Sequence, residues 1–308
     1  NDPEVSFLSQ LRSRGFSLIP TPQQVKVSDL NIVVDDSWVV QSNVNTEDIA
    51  VKRLIQGAAA LHSLEFHNSG EKKIILAVKS GTVKGADDPE LNKQGYLLKV
   101  APQRIEITGN DYPGLFYGVQ SLLQLLRRNP AGQLIVPECE IRDWPELQLR
   151  FVHWDTKHHQ KRLETMKRLI DWHAFFKVNM IALEMEDKYE YPRHPVIGAP
   201  GAYTKAEMQE LTRYALERHI QIVPNVQAPA HMAFVLKHKE FEHLKADPES
   251  NFQACMCDPE AIDLIFDMYQ DMIDATPGVE YFFVSTDEVY YAGICDKCEK
   301  PSNLENRS

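Results

Sequence analysis

From Leu149 onward, the chain alternates short apolar segments with amphipathic segments of helical period. The apolar segments read LRFVHW, NMIALEM, HIQIVPNV and VEYFFVS. Between them the spacing predicts one helix over 162–177, a second that begins at a capping box formed by Thr204 and Glu207, and a third over 259–275. Such βα repeats are typical of strands that pair in parallel, because a helix returns the chain to the same end of the sheet. We therefore expect an α/β structure, either an open doubly wound sheet or a closed eightfold barrel.

Polar residues gather where these predicted strands end. In parallel sheets and in barrels the carboxyl ends of the strands carry the chemistry, so these side chains are candidates for one site. No glycine-rich phosphate-binding fingerprint follows any strand, which favours the barrel over a nucleotide-binding open sheet. The candidates are His153, Asp155, Glu184, Glu186, Asp187, Asn225, Gln227, Asp287 and Glu288.

Only four such strands precede the last residue. The part of the chain from Leu149 onward holds roughly 160 residues, whereas a closed TIM (β/α)8 barrel needs eight strands and about 250 residues. The sequence thus predicts about four βα units of a TIM-type barrel, and we expect the chain to be a fragment or to lack its second half.

The first 145 residues follow another pattern. Helices are predicted over 47–66, with Thr46 as the cap, and over 113–128; strands are predicted over 74–78, 95–102, 104–110 and 134–143, with two short strands around the Asp35-Asp36 turn. This pattern indicates an α+β domain with two helices on one face of a mostly antiparallel sheet, its last strands meandering. We expect a domain over 1–145 and a second over 146–308.

Charge and hydropathy exclude two classes of partner. The chain has 33 Lys and Arg residues and 44 Asp and Glu residues, which gives a formal net charge of −11. A negative charge repels phosphate backbones, so we do not expect a nucleic-acid partner. No apolar run reaches the roughly 18 residues that span a bilayer, so no membrane span is expected. The sequence does not indicate an oligomeric state.

Four of the five cysteines form a CxC and a CxxC pair: Cys255, Cys257, Cys295 and Cys298. Three interpretations stay open on spacing alone. The four thiols could form a tetrathiolate zinc site, one pair could form a disulfide, or all four could be small core residues.

Longer stretches of sequence resemble one family. The segments IPTPQQVKV, GYLLKVAPQRIEITGNDYPGLFYGVQSLLQLLR and STDEVYYAG together resemble glycoside hydrolase family 20, the β-N-acetylhexosaminidases, over nearly the whole chain. EMEDKYEYPRHP and GICDKC are most similar to the hexosaminidase D-like branch. The resemblance implies a small α+β domain followed by barrel strands one to four.

The resemblance also implies an activity. Family members remove terminal β-linked N-acetylhexosamine (GlcNAc or GalNAc) from glycans or glycoconjugates, with retention and with the substrate's own acetamide as nucleophile; no cofactor or metal is implied. Because glycan-scavenging enzymes usually meet their substrates outside the cytoplasm and the chain starts at Asn1 without Met, we expect a periplasmic or secreted location.

Five positions take roles from the resemblance. Glu288 matches the family's acid/base and Asp287 the aspartate that orients the 2-acetamido group. Arg150, Asp187 and His231 match substrate-binding positions. Adjacent strand residues point to opposite faces, so Asp287 and Glu288 reach one ligand only where the backbone turns at a strand end. Two such carboxyl groups suit a mechanism in which one protonates the leaving oxygen and the other stabilises an oxazolinium-like intermediate.

Departures from the family pattern support an alternative. Phe283 stands where the family usually has His, Ser285 and Thr286 replace a Gly pair, and Gln227 stands where many members carry Asp. These changes favour, as the second hypothesis, a non-catalytic carbohydrate-binding relative or an inactive fragment.

Other interpretations of single residues also stay open. Arg150 could be a structural arginine paired with Asp143 or Asp155, His231 could cap a helix, and the acidic strand end around Asp187 could hold a divalent metal. Four tyrosines could stack on sugar rings or pack in the core: Tyr189, Tyr191, Tyr290 and Tyr291.

Overall fold

The computed structural model describes residues 11–298. The chain divides into two units, one formed by residues up to Arg150 together with Asp171–Val178, the other by Phe151–Ile170 and the residues from Asn179 on. Within the described part, no helix is both long enough and apolar enough to cross a membrane.

A seven-stranded mixed sheet forms the first unit. Its path runs β1-β7-β4-β5-β3-β2, with β6 paired to β7. The strands are β1 (Gln24–Val33), β2 (Trp38–Ser42), β3 (Lys72–Val78), β4 (Tyr96–Ala101), β5 (Arg104–Gly109), β6 (Arg127–Arg128) and β7 (Leu134–Asp143). The helices are α1 (Ile49–His62), α2 (Pro89–Lys93) and α3 (Tyr112–Leu125).

The predicted antiparallel meander holds only for β4 and β5. Strand β3 pairs with β5 in parallel, and β2 pairs with β3 in parallel. The reason is α1, which connects β2 to β3 as a crossover helix and so returns the chain to the same end of the sheet. The two strands around the Asp-Asp turn also separate, because β1 and β2 occupy opposite edges.

Helix boundaries differ slightly from the expected ones. Helix α1 is capped by Asp48, whose side chain accepts a hydrogen bond from the amide of Ala50, and not by Thr46. Helix α3 ends at Leu125, and Arg127 and Arg128, expected in its last turn, form the short strand β6. Helix α3 is the most buried of the helices in this unit, since most of its side chains pack in the core.

The second unit is built on a four-stranded parallel sheet in the order β11-β10-β9-β8. Its strands are β8 (Phe151–Asp155), β9 (Met180–Glu184), β10 (Gln221–Gln227) and β11 (Phe283–Ser285). Its helices are α5 (Lys205–Glu217), α6 (Ala233–Leu236) and α7 (Pro259–Ala275), with 3₁₀ helices at Glu186–Lys188 and Lys239–Leu244, and helix α4 (Leu163–Phe175) begins in this unit and passes into the first at Asp171. The predicted βα alternation is confirmed in this sheet.

Local chemistry explains where two of these helices begin. Thr204 and Glu207 form the predicted capping box at the start of α5. Helix α7 begins with the side chain of Asp258 accepting from the amide of Glu260 and with Pro259 in its first turn. The termini of α5 and α7 are thus set by short-range hydrogen bonds.

Candidate active site

The carboxyl ends of the four parallel strands lie side by side. Asp155 at the end of β8 is in register with Glu184 at the end of β9, and Gln227 at the end of β10 is in register with Ser285 at the end of β11. Parallel pairing therefore places the strand-end polar groups along one edge, as the sequence predicted. We call this edge the carboxyl edge.

Glu184 is the most buried acid at the carboxyl edge, with a side chain only 1% exposed. Its Oε1 atom accepts hydrogen bonds from Lys157 Nζ at 2.7 Å and from Gln227 Nε2 at 2.6 Å. Its Oε2 atom lies 3.0 Å from His153 Nε2, although the two atoms are not aligned as a hydrogen bond. A buried carboxylate needs such partners, because an uncompensated charge is costly to desolvate.

Lys157 was not among the residues expected in the site. Burial opposes its charge, but hydrogen bonds and attraction from Glu184 and Asp155 outweigh burial and raise the pKa of Lys157. Lys157 lies in the loop after β8, two residues beyond Asp155.

Glu186 has the opposite electrostatic environment. Burial raises the pKa of Glu186, the charge of Lys157 lowers it, and the charges of Glu184 and Asp187 raise it further. Its backbone has a φ of 46°, in the left-handed region, at the point where β9 turns into the 3₁₀ helix. Glu186, whose pKa is raised, is therefore next in the chain to Asp187, whose pKa is lowered.

Asp187 lies on the 3₁₀ helix after β9 and contacts two lysines. Burial disfavours its charge, but hydrogen bonds from Lys188 and Lys237 lower the pKa of Asp187 overall. The Lys237 Nζ atom is 3.1 Å from Oδ2 of Asp187. Glu184 and Asp187 thus each contact lysine. Within residues 11–298, the acidic residues at the end of β9 do not form a cluster with the spacing of metal ligands.

His231 and Glu288 meet across the loops after β10 and β11. The Nε2 atom of His231 lies 3.1 Å from Oε2 of Glu288, within ion-pair distance but without hydrogen-bond alignment. Both residues have a positive φ, 57° and 54°, which costs free energy in a non-glycine residue and is common at functional sites. His231 does not cap α6, since that cap is Met232 and it lacks a side-chain hydrogen bond.

Aromatic rings line the contact between His231 and Glu288. His231 packs edge-on against Phe252 at 4.8 Å, and Phe252 stacks with Tyr290 at 6.0 Å between ring centroids. The hydrogen bond from Tyr290 to Glu288 raises the pKa of the tyrosine. Phe252 was not predicted from the sequence, because a single Phe in a loop is not distinguished from a core residue.

The four strand-end tyrosines divide into two groups. Tyr189 and Tyr191 are almost fully buried and pack edge-to-face at 5.2 Å, so they are core residues. Tyr290 is exposed and Tyr291 is partly buried; the Tyr291 amide donates to Gln253 Oε1 at 2.8 Å. Tyr290 is therefore the member of the four with a ring open to a ligand.

Asp287 and Glu288 follow β11 directly and are both exposed. Ser285, one of the departures from the family pattern, is held in the sheet because its carbonyl accepts the amide of Ala228. Phe283 is in register with Asn225 on β10, and its ring is partly exposed. The structure thus brings Asp287 and Glu288 to the carboxyl edge with His231, and places Asp187 after the neighbouring strand β9.

Arg150 lies at the amino end of β8. It directly precedes β8, so a five-residue strand rising about 3.3 Å per residue separates it from the carboxyl edge. Its guanidinium donates to the carbonyls of Lys177 and Leu147 and to Gln94 Oε1, each at 2.8 Å. These bonds use the guanidinium within the first unit.

The buried Asp143 has a different cationic partner from the one that the sequence suggested. Lys177 Nζ lies 3.1 Å from Asp143 Oδ2, and the Tyr96 hydroxyl donates to the same oxygen at 2.8 Å. Burial lowers the pKa of Lys177. The structural arginine pair with Asp143 considered from the sequence is thus replaced by a lysine pair in the core of the first unit.

Profile matches cover nearly the whole chain. Residues 15–144 match "Glycosyl hydrolase family 20, domain 2" and residues 148–304 match "Glycosyl hydrolase family 20, catalytic domain". A beta-hexosaminidase of Porphyromonas gingivalis is 28% identical over 243 residues, covering 71% of this chain and 31% of that protein. Hexosaminidase D of Bos taurus is 30% identical over 146 residues, covering 47% of this chain and 42% of that protein. The chain spans less than half the length of these relatives.

Solved structures share the fold. A chitobiase of Flavobacterium johnsoniae superposes with a TM-score of 0.74 at 22% identity, covering 91% of this chain and 46% of that one. The N-acetyl-β-hexosaminidase of Streptomyces plicatus superposes with a TM-score of 0.66 at 25% identity, covering 85% of this chain and 57% of that one. With a family domain preceding a partial α/β catalytic domain, the chain belongs to glycosyl hydrolase family 20.

Proposed function

We propose that the protein containing this chain is a retaining β-N-acetylhexosaminidase that removes terminal N-acetylhexosamine from glycans. Glu288 acts as the proton donor to the leaving oxygen. Asp287 orients the 2-acetamido group, whose carbonyl oxygen attacks the anomeric carbon, and stabilises the positive charge that develops on the resulting oxazolinium ion. Water then opens this intermediate with Glu288 as the base, which restores the carboxylic acid.

One observation carries this proposal: Glu288 lies at the carboxyl edge of a family 20 catalytic domain with His231 at 3.1 Å and Tyr290 hydrogen-bonded to it. A general acid has to be held within reach of the bond it protonates. The imidazole of His231, on the loop after β10, and the phenol of Tyr290, on the loop after β11, can hold the carboxyl group in this way. Tyr290 also offers an exposed ring for a sugar face.

Substrate contacts are proposed for His231 and Asp187 as well. His231 lies beside Glu288, the proposed proton donor. Asp187 offers carboxylate oxygens that accept hydrogen bonds from sugar hydroxyls. Arg150 is left out, because its guanidinium already donates to Lys177, Leu147 and Gln94 within the first unit.

We also propose that the four-stranded sheet is half of a closed eightfold barrel. In the described part of the chain, β8 and β11 form the two ends of the sheet. They expose large apolar side chains, with Phe151 58% and Val284 54% accessible, and open apolar edges are a liability that barrel closure removes. In the full-length protein we expect backbone amides of β11 to exchange hydrogen as slowly as those of β10. Fast exchange in β11 would contradict closure.

The experiment that tests the proposed function replaces Glu288 by Gln in the full-length protein. We expect hydrolysis of an aryl β-N-acetylglucosaminide to fall by about 10²–10⁴-fold, the usual contribution of a general acid, with an unchanged circular dichroism spectrum. Glu240→Gln, an exposed Glu of a 3₁₀ helix, is the matched control and should keep full activity. Undiminished turnover in Glu288→Gln would refute the role.

The same assay separates the enzyme from a non-catalytic relative. If the departures at Phe283, Ser285 and Thr286 have removed the chemistry, the full-length protein binds an N-acetylhexosamine thiazoline without hydrolysing any aryl glycoside. Turnover together with thiazoline inhibition supports the hydrolase, because the thiazoline resembles the cyclic intermediate of substrate-assisted catalysis.

A further inference from the structure

Four cysteines converge beside the carboxyl edge, on two separate segments of the second unit. The Sγ atom of Cys255 lies 2.8 Å from that of Cys295 and 3.6 Å from that of Cys298. Cys295 and Cys298 are 3.3 Å apart, and Cys257 is 3.0 Å from Cys298. In residues 11–298, the thiols of Cys255, Cys295 and Cys298 are the group of potential metal ligands that all lie within 4.8 Å of one another.

The two cysteine pairs lie on turns that bring their sulfurs next to one another. The CxxC pair closes a turn in which the amide of Cys298 donates to the carbonyl of Cys295 at 2.9 Å. The CxC pair precedes α7, and the amide of Cys255 donates to the carbonyl of Leu244 at 2.8 Å. Cys255 and Cys298 are buried, while Cys257 is exposed. The sulfurs are thus held by backbone and are reachable from one side.

We propose that Cys255, Cys257, Cys295 and Cys298 bind one structural zinc ion as a tetrathiolate site. Zinc bound by four thiolates at about 2.3 Å places the sulfurs about 3.8 Å apart, so the pairs Cys255–Cys295, Cys295–Cys298 and Cys257–Cys298 need to open by about 1 Å or less. Binding forms four Zn–S bonds and releases the thiol protons to solvent, without any change of oxidation state. The chemistry of four soft sulfur ligands selects zinc over the hard cations that carboxylates bind.

Convergence on a shared point favours zinc over disulfides. A disulfide joins two sulfurs and leaves other thiols outside bonding distance, whereas Cys298 has three thiol neighbours within 3.6 Å. The excess negative charge of four thiolates is faced by Lys297, whose Nζ is paired with the carboxylate of Asp258 beside the cluster.

The position of the site indicates what the zinc does. Cys295 and Cys298 end the segment that begins with Asp287 and Glu288, while Cys255 and Cys257 belong to the loop that carries Phe252 and Gln253. A zinc ion would fasten these two loops to each other, in addition to the hydrogen bond between Tyr291 and Gln253. The effect of the zinc ion on turnover rests on the proposed role of Glu288, whereas the binding of zinc does not depend on that role.

Metal content tests the site independently of activity. We expect the purified full-length protein to contain about one zinc per chain, and the chelator-treated protein to take up about one Co²⁺ with the intense charge-transfer and d–d bands of a tetrahedral thiolate site. The double variant Cys255→Ser/Cys298→Ser should lose the zinc and the cobalt spectrum. Cys139→Ala removes a buried cysteine of the first unit and is the matched control that should keep both.

Thiol counting separates the alternatives without any variant. In the protein denatured with chelator but without reductant, alkylation and peptide mapping should find Cys255, Cys257, Cys295 and Cys298 as free thiols; a disulfide within these four would overturn the proposal. Absence of cobalt charge-transfer bands from the folded wild-type protein, or stoichiometric iron in place of zinc, would overturn it too. A zinc-bound but inactive protein would count against the proposed function and not against the site.

Discussion

At the residue scale, the carboxyl edge is organised by pairs of opposite charge around buried carboxylates. Glu184 is held by Lys157 and Gln227, and Asp187 by Lys188 and Lys237. Glu288 differs, because its neighbours are an imidazole and a phenol rather than lysine. An imidazole and a phenol can hold the carboxyl group in place by polar contacts, and a general acid has to be positioned in this way.

Replacing Asp287 by Asn should reduce turnover without destabilising the protein. The exposed carboxylate contributes only when positive charge develops on the bound substrate, so we expect a loss of about 10²–10³-fold in kcat and a change in the free energy of unfolding within about 0.5 kcal/mol. Kinetics on an aryl β-N-acetylglucosaminide and thermal unfolding measure the two quantities. Normal kcat in Asp287→Asn would show that the residue is only part of a loop.

Replacing Lys157 by Met should destabilise the second unit. The change leaves the charge of Glu184 buried without its closest cation, and breaking a buried pair in this way costs about 3–5 kcal/mol. Lys167→Met is the control, because Lys167 bonds the exposed acids Glu164 and Glu210 and surface pairs contribute about 1 kcal/mol or less. Urea unfolding of both variants checks this, and equal losses would show that Glu184 does not depend on Lys157.

At the element scale, the local signals for two helices of the second unit were predicted correctly, whereas the Thr46 cap and the placement of β1 and β2 were not. The capping box at Thr204 and the helix over 259–275 are confirmed, because each depends on residues within one or two turns. The placement of β1 and β2 at opposite edges depends on partners distant in the chain. Local alternation of side chains does not identify those partners.

The candidate site divides in the same way. Positions after strand ends, such as Asp287 and Glu288, were predictable because parallel pairing brings strand ends together, whereas His231 was expected from the family resemblance alone. Lys157, which donates to Glu184, and Phe252, which packs against His231, were not predictable. Both lie in loops, where a cation or a ring has no periodic signal. The location of Arg150 depends on where β8 begins, and strand boundaries are the part of a pattern that sequence determines least well.

His62, in the last turn of helix α1, is expected to make the free energy of unfolding depend on pH. Burial lowers the pKa of His62, whose Nε2 lies 3.0 Å from the carbonyl of Leu123. A folded pKa below the unfolded value of 6.5 means that stability from neutral His62 is complete above pH 6.5 and is lost as the pH falls through the folded pKa.

The variant His62→Gln isolates this effect, because Gln can still donate to the carbonyl of Leu123 but does not titrate. We expect the free energy of unfolding of the wild type to fall more steeply than that of His62→Gln between about pH 7 and pH 5. Urea unfolding at several pH values gives both curves. Parallel curves would mean that His62 titrates alike in the folded and unfolded protein.

At the scale of the whole molecule, the chain contains a family 20 domain 2 and part of a family 20 catalytic domain. The part described here carries the candidate acid, its aromatic neighbours and the thiol cluster on adjoining loops of one sheet edge. Its net charge of −11 disfavours polyanionic partners through repulsion.

The central claim is that Glu288 donates a proton to the leaving group, and the leaving group is therefore the variable to change. In full-length Glu288→Gln, hydrolysis of a β-linked GlcNAc disaccharide, whose leaving alcohol needs protonation, should fall far more than hydrolysis of a dinitrophenyl β-N-acetylglucosaminide, whose leaving phenolate does not. The ratio of the two losses in kcat/KM is the measurement. A ratio well above ten is the predicted result, and equal losses for the two substrates would contradict the assignment of Glu288 as the acid.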